Sequence, residues 1–310
     1  MLKRFWGCLL CLLTSHGTAT YCQGLKPGLP GMAPSRWITI RNTQAPGRSY
    51  ASTTTPATTY TQEDFYFKMW LPVLIRPKFG IIIGPHYRTE QLELKREGGN
   101  NPAHQLSNWT LRAMGVDLKA SVKVDSTSWL LFSAQVNQSG TLRSDLPGSI
   151  PLNYTLTSVY LRRKSARKEV GVGLMVNKSY NLSVLPVFIY NYNFSDRTGI
   201  EMSLPHRIAA RYNATSRDIF YVKSEAVTRT YYVTCPDKTE PETFRRVEVD
   251  LGVAYNRQLT RMLGVELFAG YRRNLSLTLP EGVIPVRTSG PAMSFEIYLR
   301  PPVGVSRKLK

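Results

Sequence analysis

A period of two in hydrophobicity governs this chain from Asp64 to Pro301. It is plainest between Arg245 and Arg273, in RRVEVDLGVAYNRQLTRMLGVELFAGYRR. There the odd positions Val247, Val249, Leu251, Val253, Tyr255, Leu263, Val265, Leu267, Ala269 and Tyr271 are apolar. The even positions Glu248, Asp250, Gly252, Ala254, Gly264, Glu266, Gly270 and Arg272 are charged or small, with Phe268 among them. Side chains alternate across a strand, so this reads as a hairpin with one apolar and one largely polar side. Met114, Val116, Leu118, Ala120 and Val122 repeat the pattern against Gly115, Asp117, Lys119, Ser121 and Lys123. Phe220, Val222 and Ala226 lie opposite Tyr221, Lys223, Glu225 and Arg229, and Met293, Phe295, Ile297 and Leu299 lie opposite Ser294, Glu296, Tyr298 and Arg300. Val170, Val172, Leu174 and Val176 lie opposite Gly171, Gly173 and Met175. Alternation over this many segments predicts an all-β chain of antiparallel strands.

Periodicity alone does not say which side meets water. A soluble β-sandwich turns its apolar side inward, and a membrane barrel turns it outward. The connections favour the barrel. Short turns are predicted at Arg76–Lys78, Val124–Thr127, Arg163–Ala166, Asn193–Asp196, Asn213–Ser216 and Asn256–Gln258. Longer polar connections fall at 45–63, 90–107, 139–153, 235–242 and 275–289. If Pro205 splits the segment around 196–213 and RWITIRN (Arg36 to Asn42) is a strand, 14 strands result, with the long connections at one end. Without both the count is 12. The halves flanking Pro205 are then shorter than the roughly 9–11 residues a tilted spanning strand needs. Tyrosines near segment ends (Tyr87, Tyr160, Tyr190, Tyr192, Tyr212, Tyr231, Tyr232, Tyr255, Tyr271) suit an aromatic girdle. The expected architecture is a transmembrane antiparallel β-barrel of about 12–14 strands over 64–301.

The amino terminus agrees with export. Lys3 and Arg4 precede FWGCLLCLL, an apolar run of signal-peptide length, and cleavage is expected near Cys22 and Gln23. Lipoprotein processing at Cys22 is the alternative. Residues 23–63 read as a flexible segment with one possible strand, and 302–310 as a basic tail. Removing 1–22 takes two cations, so Lys plus Arg falls from 40 to 38 against 21 acids, leaving +17. Cys235 is then the last cysteine, so no internal disulfide is expected. For an exported basic protein the expected counterions are outer-membrane lipid head groups and lipopolysaccharide phosphates, with no nucleic acid. The expected location is the bacterial outer membrane of a Gram-negative cell.

The stretch LSVLPVFIYNYNFSDRTGIEMSLPHRIAARYNATSRDIFYVKSEAVTRTYYV resembles the middle of a family of uncharacterised outer-membrane β-barrel proteins, mainly from Bacteroidota. The resemblance rests on Pro186 with the aromatic strand behind it, the Leu204-Pro205 pair before a strand, and the Asn213–Asp218 hairpin, and it runs from about Asp64 to Pro301. It implies an outer-membrane barrel without an assigned substrate. Many such barrels end on an aromatic residue read by the barrel-assembly machinery. Here PPVGVSRKLK follows Leu299-Arg300, so that machinery would have to read FEIYL internally.

Little points to catalysis. His86, His104 and His206 lack metal-ligand spacing, and no cofactor motif is present. Ser165-Ala-Arg-Lys168 matches S-x-x-K but falls in a predicted turn. Eight Asn-x-Ser/Thr sequons, at Asn108, Asn137, Asn153, Asn177, Asn181, Asn193, Asn213 and Asn274, read as incidental turn and strand-end residues. The candidate functional residues are instead charges expected to line the lumen: Asp117, Lys119, Lys123, Lys223, Glu225, Arg229, Glu248, Asp250, Glu266, Arg272 and Glu296. They would either lock a filled lumen or line a porin-like path. The expected function is a passive pore, lipid-binding or structural barrel. The alternatives are a membrane-embedded lipid-modifying hydrolase centred on His86 or His206, and a soluble secreted β-sandwich binding protein.

Overall fold

A computed structural model describes residues 27–52, 55–96, 110–141, 150–179, 181–233, 241–278, 280 and 289–301. The expected signal segment, the basic tail, His104 and Cys235 lie outside the described residues. The strands are β1 (Ile38–Ser52), β2 (Thr55–Met69), β3 (Leu71–Ile75), β4 (Phe79–Arg96), β5 (Thr110–Lys123), β6 (Ser128–Gly140), β7 (Leu152–Ser165) and β8 (Lys168–Lys178). They continue as β9 (Leu182–Asn193), β10 (Thr198–Leu204), β11 (Arg207–Asn213), β12 (Asp218–Val233), β13 (Glu242–Gln258), β14 (Leu263–Thr278) and β15 (Ser289–Leu299).

Strands that follow one another in the chain pair antiparallel except β2 and β3, β1 pairs with β15, and β2 pairs with β4. The sheet is therefore a closed barrel. β2 and β3 are one stave: Lys68 faces His86 and Leu71 faces Ile83, the same register on β4 across Trp70. Counting that stave once gives 14. The split at Pro205 is real, because β10 and β11 form a hairpin of two 7-residue strands around it.

The barrel starts earlier than the alternation suggested. β1 and β2 form its first hairpin, in part of the segment expected to be flexible. The Thr- and Ser-rich stretch that obscured them carries little apolar contrast, but β-branched threonine fits a pleated strand well.

The exposed face is the apolar one. Leu251, Val253, Leu267, Tyr271, Val222, Leu174 and Met293 are each more than half exposed or close to it, while Glu248, Arg246 and Arg272 are almost fully buried. A soluble sandwich would show the reverse. Closure leaves the barrel few sheet edges, and its backbone groups are paired between strands, as a lipid environment requires.

Six short turns lie at one end, together with the start of β1 and the end of β15. Five begin with a side chain that accepts a backbone N–H two residues on: Asp125, Ser165, Ser195, Thr215 and Thr260. The sixth has Pro77 to preset the bend. The Thr127 N–H, 2.7 Å from Asp125, also holds that exposed carboxyl below its usual range. Such side-chain acceptors close a turn without extra residues, which keeps this end low.

Candidate functional site: a divided lumen

All eleven charges expected in the lumen sit on the inward positions of their strands. Asp117 is buried against His86 (3.0 Å to Nδ1) and Lys68. Lys119 lies over the Trp70 ring at 4.6 Å, and Lys123 stands near the short-turn rim. Lys223 reaches Glu266 at 2.9 Å and Glu225 at 3.5 Å. Arg272 chelates Asp250 through two bonds of 2.6 and 2.7 Å and lies 3.8 Å from Glu248. Glu296 and Glu266 both meet Arg36.

Arg229 belongs to the densest cluster. It pairs with Asp64 at 2.7 Å and Glu90 at 3.2 Å, and Glu90 also accepts from Arg246, from Tyr231 (2.8 Å) and from Gln62 (2.5 Å). Glu90 and Glu248 are fully enclosed, and Arg246 is 1% exposed. Buried charges persist only when paired and hydrogen-bonded, and this cluster sets Arg88, Arg229 and Arg246 against Asp64, Glu90 and Glu248, from β2, β4, β12 and β13. Period two reaches Arg246 as readily as Glu248, so that residue was within reach of the sequence. Asp64 and Glu90 were not, because both stood at the edges of expected loops.

The amino-terminal approach to β1 lies across the inner wall at the short-turn end. Arg36 meets β14 and β15, and its guanidinium lies 4.8 Å from the Tyr298 ring. The Ala33 N–H donates to Tyr221 of β12 at 3.2 Å, and Pro30 O accepts from Asn193 of β9 at 3.0 Å. The Gly28 N–H donates to Glu169 of β8 at 3.0 Å, and Gly28 O accepts from Arg163 of β7 at 2.6 Å. Residues 28–36 thus form a strap from β15 round to β7. Gly31 has φ +80° and packs against Arg211 and Asn213, where a side chain would collide with both. The sequence marked this segment as a loop, but nothing in it announced that the loop turns inward.

The long-loop end narrows differently. Above Glu225, where its pairing with β11 stops, β12 stays paired with β13 to Val233 but has no wall neighbour on its other side among the described residues. It crosses to β6 on the far side: Tyr232 pairs with Gly140, Ser139 Oγ donates to Thr230 O at 2.6 Å, and the Thr141 N–H donates to Tyr232 O at 3.1 Å. A Cβ on Gly140 would overlap the Tyr232 carbonyl oxygen. Upper β12 is therefore a partition. Its odd residues Arg229 and Tyr231 face the charged cluster. Its even residues Thr228 and Thr230 face β6, β7 and β8 across a cavity of about 110 Å³. This corrects the girdle at two positions, since Tyr231 and Tyr232 are buried, with Tyr232 donating to Ser179 O, and neither faces lipid.

That cavity is walled by sequons. Asn137-x-Ser139, Asn153-x-Thr155 and Asn177-x-Ser179 lie on three adjacent strands, or just past the last, and line it. Two polar residues spaced by two share one face of a strand, so an inward Asn-x-Ser/Thr needs no sugar to explain it. Asn153 donates to Ser139 at 2.8 Å and Asn177 to Thr155 at 2.6 Å. Asn193 and Asn213 also point inward, toward the strap. Asn153, Asn177, Asn193 and Asn213 are strand-end residues as read, and Asn137 lies within β6; their spacing alone did not show that all five point inward.

The two described histidines do different things. His86 is buried beside Asp117, with Gly115 close against its ring. His206 is in the β10–β11 turn, its Nδ1 2.8 Å from Ala226 O while its own carbonyl accepts the Ala226 N–H at 2.8 Å. Lys168 of the S-x-x-K turn lies over Tyr190 at 5.4 Å. Among the described residues no group of three His, Cys, Asp or Glu side chains could share a metal ion.

A family model described as a domain of unknown function, DUF6268, matches residues 154–282, from the start of β7 to just past β14. No curated protein matches. An outer membrane channel from Pseudomonas putida F1 is similar in structure at 10% identity, over 89% of this chain and 99% of that one, with a TM-score of 0.50. The fold is that of an outer-membrane barrel. The TodX monoaromatic hydrocarbon channel, as a deltaS2 mutant, is similar at 8% identity over 86% and 90% of the two chains (TM-score 0.44). LpxR from Salmonella typhimurium is similar at 6% identity over 85% and 100% (TM-score 0.38).

Proposed function

We propose that this protein is an outer-membrane barrel of a Gram-negative cell that passes a small solute passively and rests with its axial path closed. The observation that carries the reading is an apolar shell around a polar lumen obstructed at two levels by hydrogen bonds and ion pairs, the strap at one end and upper β12 at the other. Polar closures of this kind open at lower cost than continuous apolar packing, because water can replace the partners. The short-turn end would face the periplasm and the outer wall would meet lipid, with lipopolysaccharide around the long-loop end. Passage through the barrel-assembly machinery and an origin in Bacteroidota belong to the same reading. The similar Pseudomonas protein is described as a channel, which agrees with it.

Planar-bilayer recording tests the proposal. The intact protein should be nearly silent, and a variant that lacks residues 28–35 and carries Gly140→Ala, which loosens both closures, should give discrete conductance steps. A correctly inserted barrel of that variant that stays silent would sink the pore.

The second reading is a lipid-modifying hydrolase, and the His86–Asp117 pair favours it, since a carboxylate orients a general-base histidine in many hydrolases. It predicts fatty-acid release from phospholipid vesicles that His86→Asn abolishes. The passive reading predicts no release from either protein.

A further inference from the structure

The hairpin of β10 and β11 leaves an opening in the barrel wall. Its strands have 7 residues each, fewer than the roughly 9–11 that cross a bilayer when tilted. The last pairs it makes are Leu204 with Phe188 on β9 and Arg207 with Glu225 on β12. Above them, β9 from Leu182 to Val187 faces no strand on that side among the described residues. The opening has a complete frame. The Leu204–His206 turn, tied to Ala226, forms its sill. Upper β9 and upper β12 are its sides, and the contact between Tyr232 and Ser179 is its lintel.

Three sequence features match the opening. Pro186 lies on the unpaired part of β9, where a missing N–H costs no ladder bond. The rim there is apolar and exposed: Leu182 65%, Val184 57%, Leu185 40%. On β12 the even positions change character where its pairing with β11 stops, from Phe220 and Val222 to Ser224, Ala226, Thr228 and Thr230. A lipid-facing surface becomes a hydroxyl-bearing one within two residues.

Behind this opening is the sequon-walled cavity. Its lining is mostly uncharged: amides and hydroxyls from β6 to β8 with Ala113 on one side, Thr228, Thr230 and Tyr231 on the other. Arg88 and Arg229 at its base are already engaged by Asp64 and Glu90. Among the neutral lining groups of the described residues, one acceptor is unanswered. Asn153 is 7% exposed, and its Oδ1 is buried with no hydrogen-bond partner. A buried acceptor left this way costs free energy unless a donor arrives.

We propose that this cavity binds the uncharged, hydroxyl-bearing head group of an amphiphile that enters sideways from the lipid, its apolar part resting on the Leu182–Pro186 rim and a hydroxyl donating to Asn153 Oδ1. The proposal rests on the outer wall meeting lipid, but not on axial conduction. An entry between β9 and β12 spares the solute both the charged cluster and the strap.

The test is photolabelling of the full protein in phosphatidylethanolamine/phosphatidylglycerol nanodiscs with a decyl glucoside carrying a diazirine on its sugar, mapped by mass spectrometry. Labelling should saturate and fall on residues 137–139, 153–155 and 177–179. Excess decyl glucoside should compete at least tenfold better than glucose or decyl sulfate. Asn153→Leu and Asn177→Leu should each cut saturable labelling at least tenfold, and Asn153→Ser should restore part of it, with heat-modifiable gel mobility confirming that each variant is folded. Unsaturable labelling, or labelling unchanged in a folded Asn153→Leu, would overturn the site. Equal competition by glucose would overturn entry from lipid, and stronger competition by decyl sulfate would overturn the uncharged head. Saturable labelling of a barrel that stays silent with both closures loosened would keep the site and remove the pore.

Discussion

The two compartments on either side of upper β12 are built from opposite materials. One is filled by full charges: Glu90, Glu248, Arg229, Arg246 and Arg272, each at most 5% exposed. The other is walled by amides and hydroxyls and keeps a cavity of about 110 Å³. Charges out of water must find partners at short range, so they pull the walls together and fill the space between them. Neutral polar groups lose less when left to water, so they can line a space that stays open. The difference teaches that one strand can close one half of a lumen and leave the other open, because its two faces carry different chemistry.

The largest effect should come from breaking the charged side. Glu90→Leu takes a partner from both Arg229 and Arg246, and loss of one partner from a buried ionic cluster costs about 3–5 kcal/mol. Urea unfolding in lipid vesicles should show a loss of that order. The outer wall sharpens the contrast between inside and outside: Val253→Arg places a cation on the lipid face, at a cost of about 2–4 kcal/mol if the site is at the bilayer midplane. The same charge in a soluble sandwich strand that is 57% exposed would be tolerated, so a null result would turn the barrel inside out. The partition itself should yield to Gly140→Ala, whose Cβ meets the Tyr232 backbone; overpacking of this kind costs about 1–3 kcal/mol and should merge the two compartments. Faster hydrogen exchange confined to Thr228–Val233 would record it. The smallest effect belongs to the neutral side. Asn153→Ala removes one hydrogen bond, to Ser139, and should cost about 0.5–1.5 kcal/mol by the same urea measurement.

Much of this architecture is legible in the amino-acid sequence. Strand alternation, the split at Pro205 and the long and short ends follow from local rules, and the charges on even positions of β13 and β14 had to share one side. What stayed hidden is long-range. The strap is a Gly/Pro-rich loop in sequence, and only its hydrogen bonds to Glu169, Asn193 and Tyr221 show that it lies inside. Tyr231 and Tyr232 looked like girdle residues because the alternation runs through β12 without a break. The polar turn of its even face from Ser224 onward was the available signal, and it means something only beside the short hairpin that exposes it. The sequons were legible as a spacing but not as a ladder, since register between β6, β7 and β8 is set by pairing across turns.

The central claim is that β12 crosses the lumen to β6, and the most direct measurement is a cross-link between them. In a chain carrying Cys235→Ser, cysteines at Ser139 and Thr230 should join through a short bifunctional thiol reagent while the barrel is folded in lipid, with the product seen as altered mobility after denaturation. Those strands have five others between them along one side of the barrel and seven staves along the other, so an open, round barrel would hold them on opposite walls. Rapid cross-linking in the folded fraction is the predicted result. A folded barrel that never cross-links, while the same reagent joins Ser139→Cys to Asn153→Cys on the neighbouring strand, would contradict the division of the lumen.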